Sequence, residues 1–135
     1  MKGVIILALG LLLFLAGCTK ISECEAVKIA KQQVPAEVVA RGAIAAGFRS
    51  ELGPYGSWFV TFVNVGTTPS ELGWEENENT HFKPESTLPG EENLPKDSYR
   101  NVTIYVDADT GNVTAREANN GLFIGGPGTF SKCDP

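Results

Sequence analysis

The sequence predicts an α+β domain: one N-terminal helix, then strands, with a long acidic insertion between them. Three observations carry this. A helix-capping pattern opens at Ser22, a run dense in aromatic and β-branched residues spans 57–65, and an alternating run followed by a tight turn occupies 100–116.

Ser22-Glu23-Cys24-Glu25 has the form of a capping box, in which Ser22 accepts from the N–H of residue 25 and Glu25 reaches back to the N–H of residue 22. Glu23 and Glu25 also suit the positive end of the helix dipole. Ala26, Val27, Ala30 and Val34 recur on one face, with Lys28, Lys31 and Gln32 towards water. Pro35 disfavours helical geometry at Val34, so the helix is expected from Glu23 to near Gln33. Residues 38–49 read as a strand opened by Val38-Val39 and interrupted at Gly42 and Gly47, although their alanines would also suit a helix. Gly53-Pro54-Tyr55-Gly56 signals a turn.

The run SWFVTFVNV, residues 57–65, is the strongest strand signal in the chain. Trp58, Val60 and Phe62 point one way and Phe59, Thr61, Val63 and Val65 the other, so both faces need cover. The helix can cover one and the C-terminal tail part of the other. Residues 66–98 hold four prolines and little periodicity, and read as a long exposed loop or insertion. Val102, Ile104 and Val106 then alternate with Thr103 and Tyr105. Asp107-Ala108-Asp109-Thr110-Gly111 turns the chain, with Gly111 supplying a positive φ, and 112–116 return as a short strand. The tail, 119–135, is glycine-rich yet carries Leu122, Phe123, Ile124 and Phe130, which suits a segment packed back on the domain.

The first residues are of another kind. Met1-Lys2 precedes an apolar run from Val4 to Ala16, broken only by Gly10. A positive start, a short apolar core and a small-residue end describe a secretory signal, since a spanning helix needs about 20 apolar residues. Leu15-Ala16-Gly17-Cys18 resembles the lipobox of bacterial lipoproteins. The resemblance implies cleavage after Gly17 and diacylglycerol on the Cys18 sulfur, hence a signal peptide at 1–17 and a tether at 18–21. Two or three acyl chains would hold the protein on a membrane, where one gives only marginal binding. Thr19 after Cys18, where the family's inner-membrane retention signal has aspartate, implies an outer membrane if the host has two.

Cleavage removes Lys2 from eleven Lys and Arg, leaving ten against sixteen Asp and Glu. Residues 66–98 alone hold eight acids and two bases, so the negative charge belongs to that segment and the rest balances. No basic stripe offers itself to a nucleic acid. With Cys18 lipidated, Cys24 and Cys133 remain, and export makes a disulfide between them the default reading. A loop of about 110 residues closed in this way is worth roughly 4–5 kcal/mol in the chain-entropy model. The alternative is a reactive thiol at Cys24, in the first turn of the helix.

The order of a capped helix ISECEAVKIAKQQVP, strands, and a closing VTIYVDADTGNVTARE resembles the PepSY domain. The matching positions are Glu25-Ala26 with Ile29-Ala30, Val34-Pro35, and Tyr105-Val106-Asp107 through Thr110-Gly111-Asn112-Val113. They cover residues 21–65 and 99–117 of a domain set at 22–118, with the insertion at 66–98 and the cysteine-pinned tail as departures. The resemblance implies one helix packed across a small antiparallel sheet. It also implies a non-catalytic envelope protein that restrains or guides a peptidase, with no catalytic residues and no cofactor to carry over.

Other constellations are thin. His81 is the single histidine, without a partner for a zinc site or a specific triad. Glu75, Glu76 and Glu78 could hold calcium weakly, which gives a small-ligand or cation binder as the rival function; a solvated charge run is the plainer reading. Asp107-Ala108-Asp109 begins like a calcium loop, but Gly111 falls fifth and Ala118 twelfth, where a ligand is needed. The GGPG at 125–128 lacks the lysine of a phosphate loop. Trp74 and Phe82, rings within the acidic insertion, are either anchors folded onto the domain or contacts for a partner. Finally, Thr19, Lys20 and Ile21 alone separate Cys18 from Ser22, at most about 13–14 Å extended. The domain is therefore expected against the bilayer, helix start inward and acidic insertion outward.

Overall fold

The computed structural model describes residues 20–50, 56–84, 97–122 and 130–133. The signal segment, Cys18, most of the Gly53–Gly56 turn, and residues 85–96 and 123–129 lie outside that set. Two helices, α1 (Glu23–Lys31) and α2 (Ala36–Val39), precede strands β1 (Ala43–Arg49) and β2 (Ser57–Val63). A one-turn helix α3 (Pro69–Leu72) and strand β3 (Thr80–Lys83) follow, then β4 (Asn101–Asp107) and β5 (Val113–Asn119). The strands form one sheet in the order β1-β2-β4-β5-β3, and α1 packs on one face of it. The fold is α+β.

The capping pattern at Ser22 forms. Its hydroxyl oxygen accepts from the Glu25 N–H at 3.2 Å and its O–H donates to the Glu25 carboxylate at 3.3 Å, instead of the backbone N–H of Ser22 doing so. The helix stops at Lys31, two residues early, because the chain tightens before Pro35. Gln32, Gln33 and Val34 donate to carbonyls three residues back. Ala26, Val27 and Ala30 then lie against Val60 and Phe62 of β2 and Val102, Ile104 and Val106 of β4, all 2 % exposed or less.

The expected strand from Val38 is corrected. Pro35 caps α2, and Val38 enters the core from that single turn, fully buried. Strand geometry begins only after Gly42, where a Cβ would overlap the Val63 carbonyl oxygen. β1 then pairs antiparallel with β2 from Ala43↔Val63 to Arg49↔Ser57. On the sheet face away from α1, the Phe59 ring lies across Gly47 in space that a side chain would fill, and Arg49 rests 5.1 Å above that ring. Beside them the hydroxyls of Thr61 and Thr103 meet at 2.9 Å.

The sheet is mixed. β3 runs parallel to β5 (Thr80↔Arg116 to Lys83↔Asn119), whereas the other three pairings are antiparallel as expected. β3 belongs to the segment read as a loop, and so does a set of core anchors. Trp74 is 6 % exposed, its indole N–H donates to the Gln33 carbonyl at 3.2 Å, and Arg116 stacks 4.6 Å from its ring centroid. Half-buried Phe82 bridges Trp74 and Tyr99, at 6.4 and 5.4 Å between centroids. Both rings are folded against the domain, Trp74 buried and Phe82 half-buried.

The described tail residues follow the outer edge of β1, not the open sheet face. Phe130 pairs antiparallel with Ala45, and Ser131 N–H donates to the Ile44 carbonyl at 2.7 Å. Cys133 closes a disulfide with Cys24, with the Cα atoms 5.2 Å apart, so Cys24 is not a free thiol. The closed loop spans 109 residues of sequence separation. Reducing this bond should lower unfolding free energy by roughly 4–5 kcal/mol, read from urea titrations with and without reductant. Trp74→Ala should cost about 3–5 kcal/mol by opening a cavity under α1, and a loss below 1 kcal/mol would return Trp74 to the surface.

Candidate functional site

A concavity is built where α2 hands over to β1. Val38 turns inward, so Ala36, Val39 and Ala40 are left to form one wall. Gly42, Ala43 and Ile44 form the floor, and Phe130, Ser131 and Cys133 of the tail form the opposite rim. The groove measures about 700 Å³, within the range of small-ligand and peptide-side-chain sites. Lys31, from the last turn of α1, is the one charged side chain among its described lining residues. Phe130 remains 38 % exposed at the rim.

The rim is tied to α1 twice. Beside the disulfide, Ser131 O–H donates to the Glu23 carboxylate at 3.2 Å and the Cys133 N–H donates to the Ser131 hydroxyl oxygen at 3.2 Å. The serine hydroxyl is thus a structural link. His81, the single histidine, is exposed on β3 at the other edge of the sheet, some four strand spacings or roughly 19 Å from β1. Among the described residues no serine hydroxyl is hydrogen-bonded to His81.

The floor is braced from behind. Arg41 forks onto Glu71 with two bonds of 2.6 Å and donates also to the Gly66 carbonyl at 3.0 Å, while Thr67 O–H donates to Glu71 at 2.8 Å. The Arg41 guanidinium, then the Thr67 hydroxyl, pull the Glu71 carboxyl down from 4.5 to about 2, and Glu71 in turn raises Arg41. The bracket joins the α2–β1 turn to α3, and so to the first half of the insertion.

The other residues singled out in the sequence sit apart from the groove. Asp107 accepts from the N–H groups of Asp109 and Thr110 at 2.8 and 3.0 Å, which hold its carboxyl below the usual range. Its turn is therefore closed by its own backbone. Glu75, Glu76 and Glu78 are exposed, and among the described residues no three His, Cys, Asp or Glu side chains converge on a point that would hold a metal ion. Across the open sheet face Lys83 pairs with Glu117 at 2.6 Å, and burial, with the Glu117 charge, raises the Tyr105 hydroxyl. Cys18 lies outside the described residues. No helix among them is long and apolar enough to cross a membrane.

Compared with protein-family models, curated proteins and solved structures, the chain matches none. The lipobox and PepSY resemblances accordingly rest on the residues quoted for them.

The groove residues escaped the sequence reading because they are small and scattered over α2, β1 and the tail. The one local signal was Pro35 followed seven residues later by Gly42, which marks a turn of chain too short for a strand. The Arg41–Glu71 bracket sets a pH dependence. A carboxyl depressed on folding stabilises fully above its ordinary value, and that contribution disappears as pH falls from 4.5 towards about 2. Glu71→Gln should lower the neutral plateau in thermal melts and flatten this part of the acid limb, since the contribution it removes is the one present above pH 4.5; an unaltered acid limb would show the bracket to be idle.

Proposed function

We propose that this chain is a lipid-anchored lipoprotein of the bacterial envelope. Its PepSY-like domain binds another envelope protein close to the membrane, without chemistry of its own, and modulates a peptidase there. The observation that supports the binding role is the groove at the start of β1. It combines an apolar wall with the outer edge of a strand, and that edge already receives one extended segment, the tail at Phe130–Ser131. An edge strand with a neighbouring pocket is the arrangement by which extended peptides are recognised, the backbone giving affinity and the pocket giving choice of side chain. Lys31 at the mouth favours a partner segment with an acidic residue. The anchor is supported by the apolar run and the Leu15–Cys18 pattern alone.

A photo-crosslinker at Ala40, which is exposed on the groove wall, tests the binding role in native membranes. One discrete adduct should form, and Ala43→Arg, which crowds the groove from an exposed position on its floor, should remove it while leaving the protein in the membrane fraction. No adduct at all would withdraw the protein-binding role. An adduct indifferent to A43R would move the binding surface off the groove.

A further inference from the structure

The chain is fastened to the sheet one residue before the helix cap. Ile21 N–H donates to the Ala108 carbonyl at 2.8 Å, and the Ile21 carbonyl accepts from the Trp58 indole N–H at 3.0 Å. Only Thr19 and Lys20 separate Ile21 from Cys18. Three residue steps reach about 11 Å at full extension, less than the radius of gyration of about 13 Å for a domain of this size. A leash of that length keeps one end of the domain near its point of attachment and denies the opposite end access to it.

The near end carries the groups that suit a headgroup layer. Phe48 is 37 % exposed and meets Trp58 edge-on at 5.3 Å, and the Lys20 ammonium stands 4.8 Å above the Phe48 ring. Arg49, exposed at the same end of β1, lies on the other sheet face over the Phe59 ring. Aromatic rings beside lysine and arginine are the composition of a membrane interface. Among the described residues the acids of this end are Glu23 and Glu25 at the helix start and Asp107 and Asp109 in the turn; the Glu23 carboxylate accepts from the Ser131 hydroxyl and the Asp107 carboxylate from backbone N–H groups.

The far end carries the acidic segment. Buried Asn120 donates to the Pro84 carbonyl at 3.1 Å and the Ser98 carbonyl at 2.9 Å, which brings these two described residues of the acidic segment together there. Asn120 follows Asn119, which pairs with Asn101 at the start of β4, whereas Asp107 ends β4 roughly 20 Å away. The groove floor, Gly42–Ile44, lies four to six residues along the chain from Phe48, about 13–20 Å, while the groove's rim at Cys133 is bonded to Cys24 in the first turn of α1.

We propose that the end bearing Lys20, Phe48 and Arg49 is the membrane-facing surface of the domain, seated in the headgroup layer of a bilayer, with the groove floor at the opposite end of β1. This rests on the lipid anchor proposed above. It makes the bilayer a second binding partner and leaves the groove open to a protein approaching from the aqueous side.

The test uses the full chain purified with its lipid and reconstituted in phosphatidylethanolamine–phosphatidylglycerol vesicles. With Cys24 and Cys133 joined and Cys18 capped, a cysteine introduced at Phe48→Cys or Ala40→Cys is the one free thiol for an environment-sensitive fluorophore; Lys20→Cys serves should F48C fold poorly. Nitroxide lipid labelled at the headgroup should quench the probe at 48 or 20 several-fold more than the probe at 40. Equal quenching at all positions, or stronger quenching at 40, overturns the orientation while the anchor stands. A mass spectrum showing an unmodified Cys18 sulfur overturns the anchor and the orientation with it.

Discussion

A strand that is apolar on both faces cannot lie at the edge of a small sheet, and β2 is such a strand. Val60 and Phe62 are fully buried on one face, and Thr61 and Val63 are nearly so on the other. The chain meets this demand with a neighbour on each side and cover above and below. The alanines of α1 allow the helix to approach closely over Val60 and Phe62. Gly47 admits the Phe59 ring on the other face, and the Thr61 and Thr103 hydroxyls satisfy each other where a threonine pair is enclosed. Centring β2 makes β1 an edge, and an open edge must be managed. The tail meets part of it at Ala45 and is held there by Cys133. The groove is what remains between that tail and α2.

What could be read from the sequence was local or compositional. Ser22 announces a cap because its partner is three residues away, and Gly111 announces a turn because the requirement is its own φ of +77°. The cysteine pairing followed from compartment and count. Features that depend on distant partners stayed hidden. Trp74 has an indole that finds the Gln33 carbonyl 41 residues earlier, so nothing around it distinguishes an anchor from a contact. Val38-Val39 has strand composition, but burial of one valine from a single helical turn outweighs the propensity of both. β3 is four residues long, too short to establish a period, and its place on the far side of β5 depends on the hairpin that follows it.

The two ends of the sheet are organised differently. At one end the links are between backbone groups, including the residue before the helix cap: Ile21 to Ala108, Ala108 to Gly56, and the closed turn at Asp107. At the other end they are made by side chains that gather insertions. Arg41 and Glu71 fix α3 beside the groove floor, and Asn120 and Asn101 fasten the strand ends, Asn101 donating to the Gly121 carbonyl at 2.7 Å and accepting from the Asn64 N–H at 3.1 Å. The second set consists of small brackets around long excursions of chain. Each leaves its own backbone carbonyl satisfied by an amide or guanidinium, which is how an insertion can be added to a small sheet without opening its core.

The covalent path gives these links their mechanical sense. From Ile21, fixed to the turn at one end of the sheet, three residues lead to Cys24, and one disulfide leads from there to the tail that rims the groove. With a lipid on Cys18, the bilayer, the helix start and the groove rim are separated by a few covalent steps, and no free linker intervenes. A pull on the tail would be shared between the disulfide, which leads through Cys133 and Cys24 into the first turn of α1, and the Ala45 and Ile44 pairings to β1.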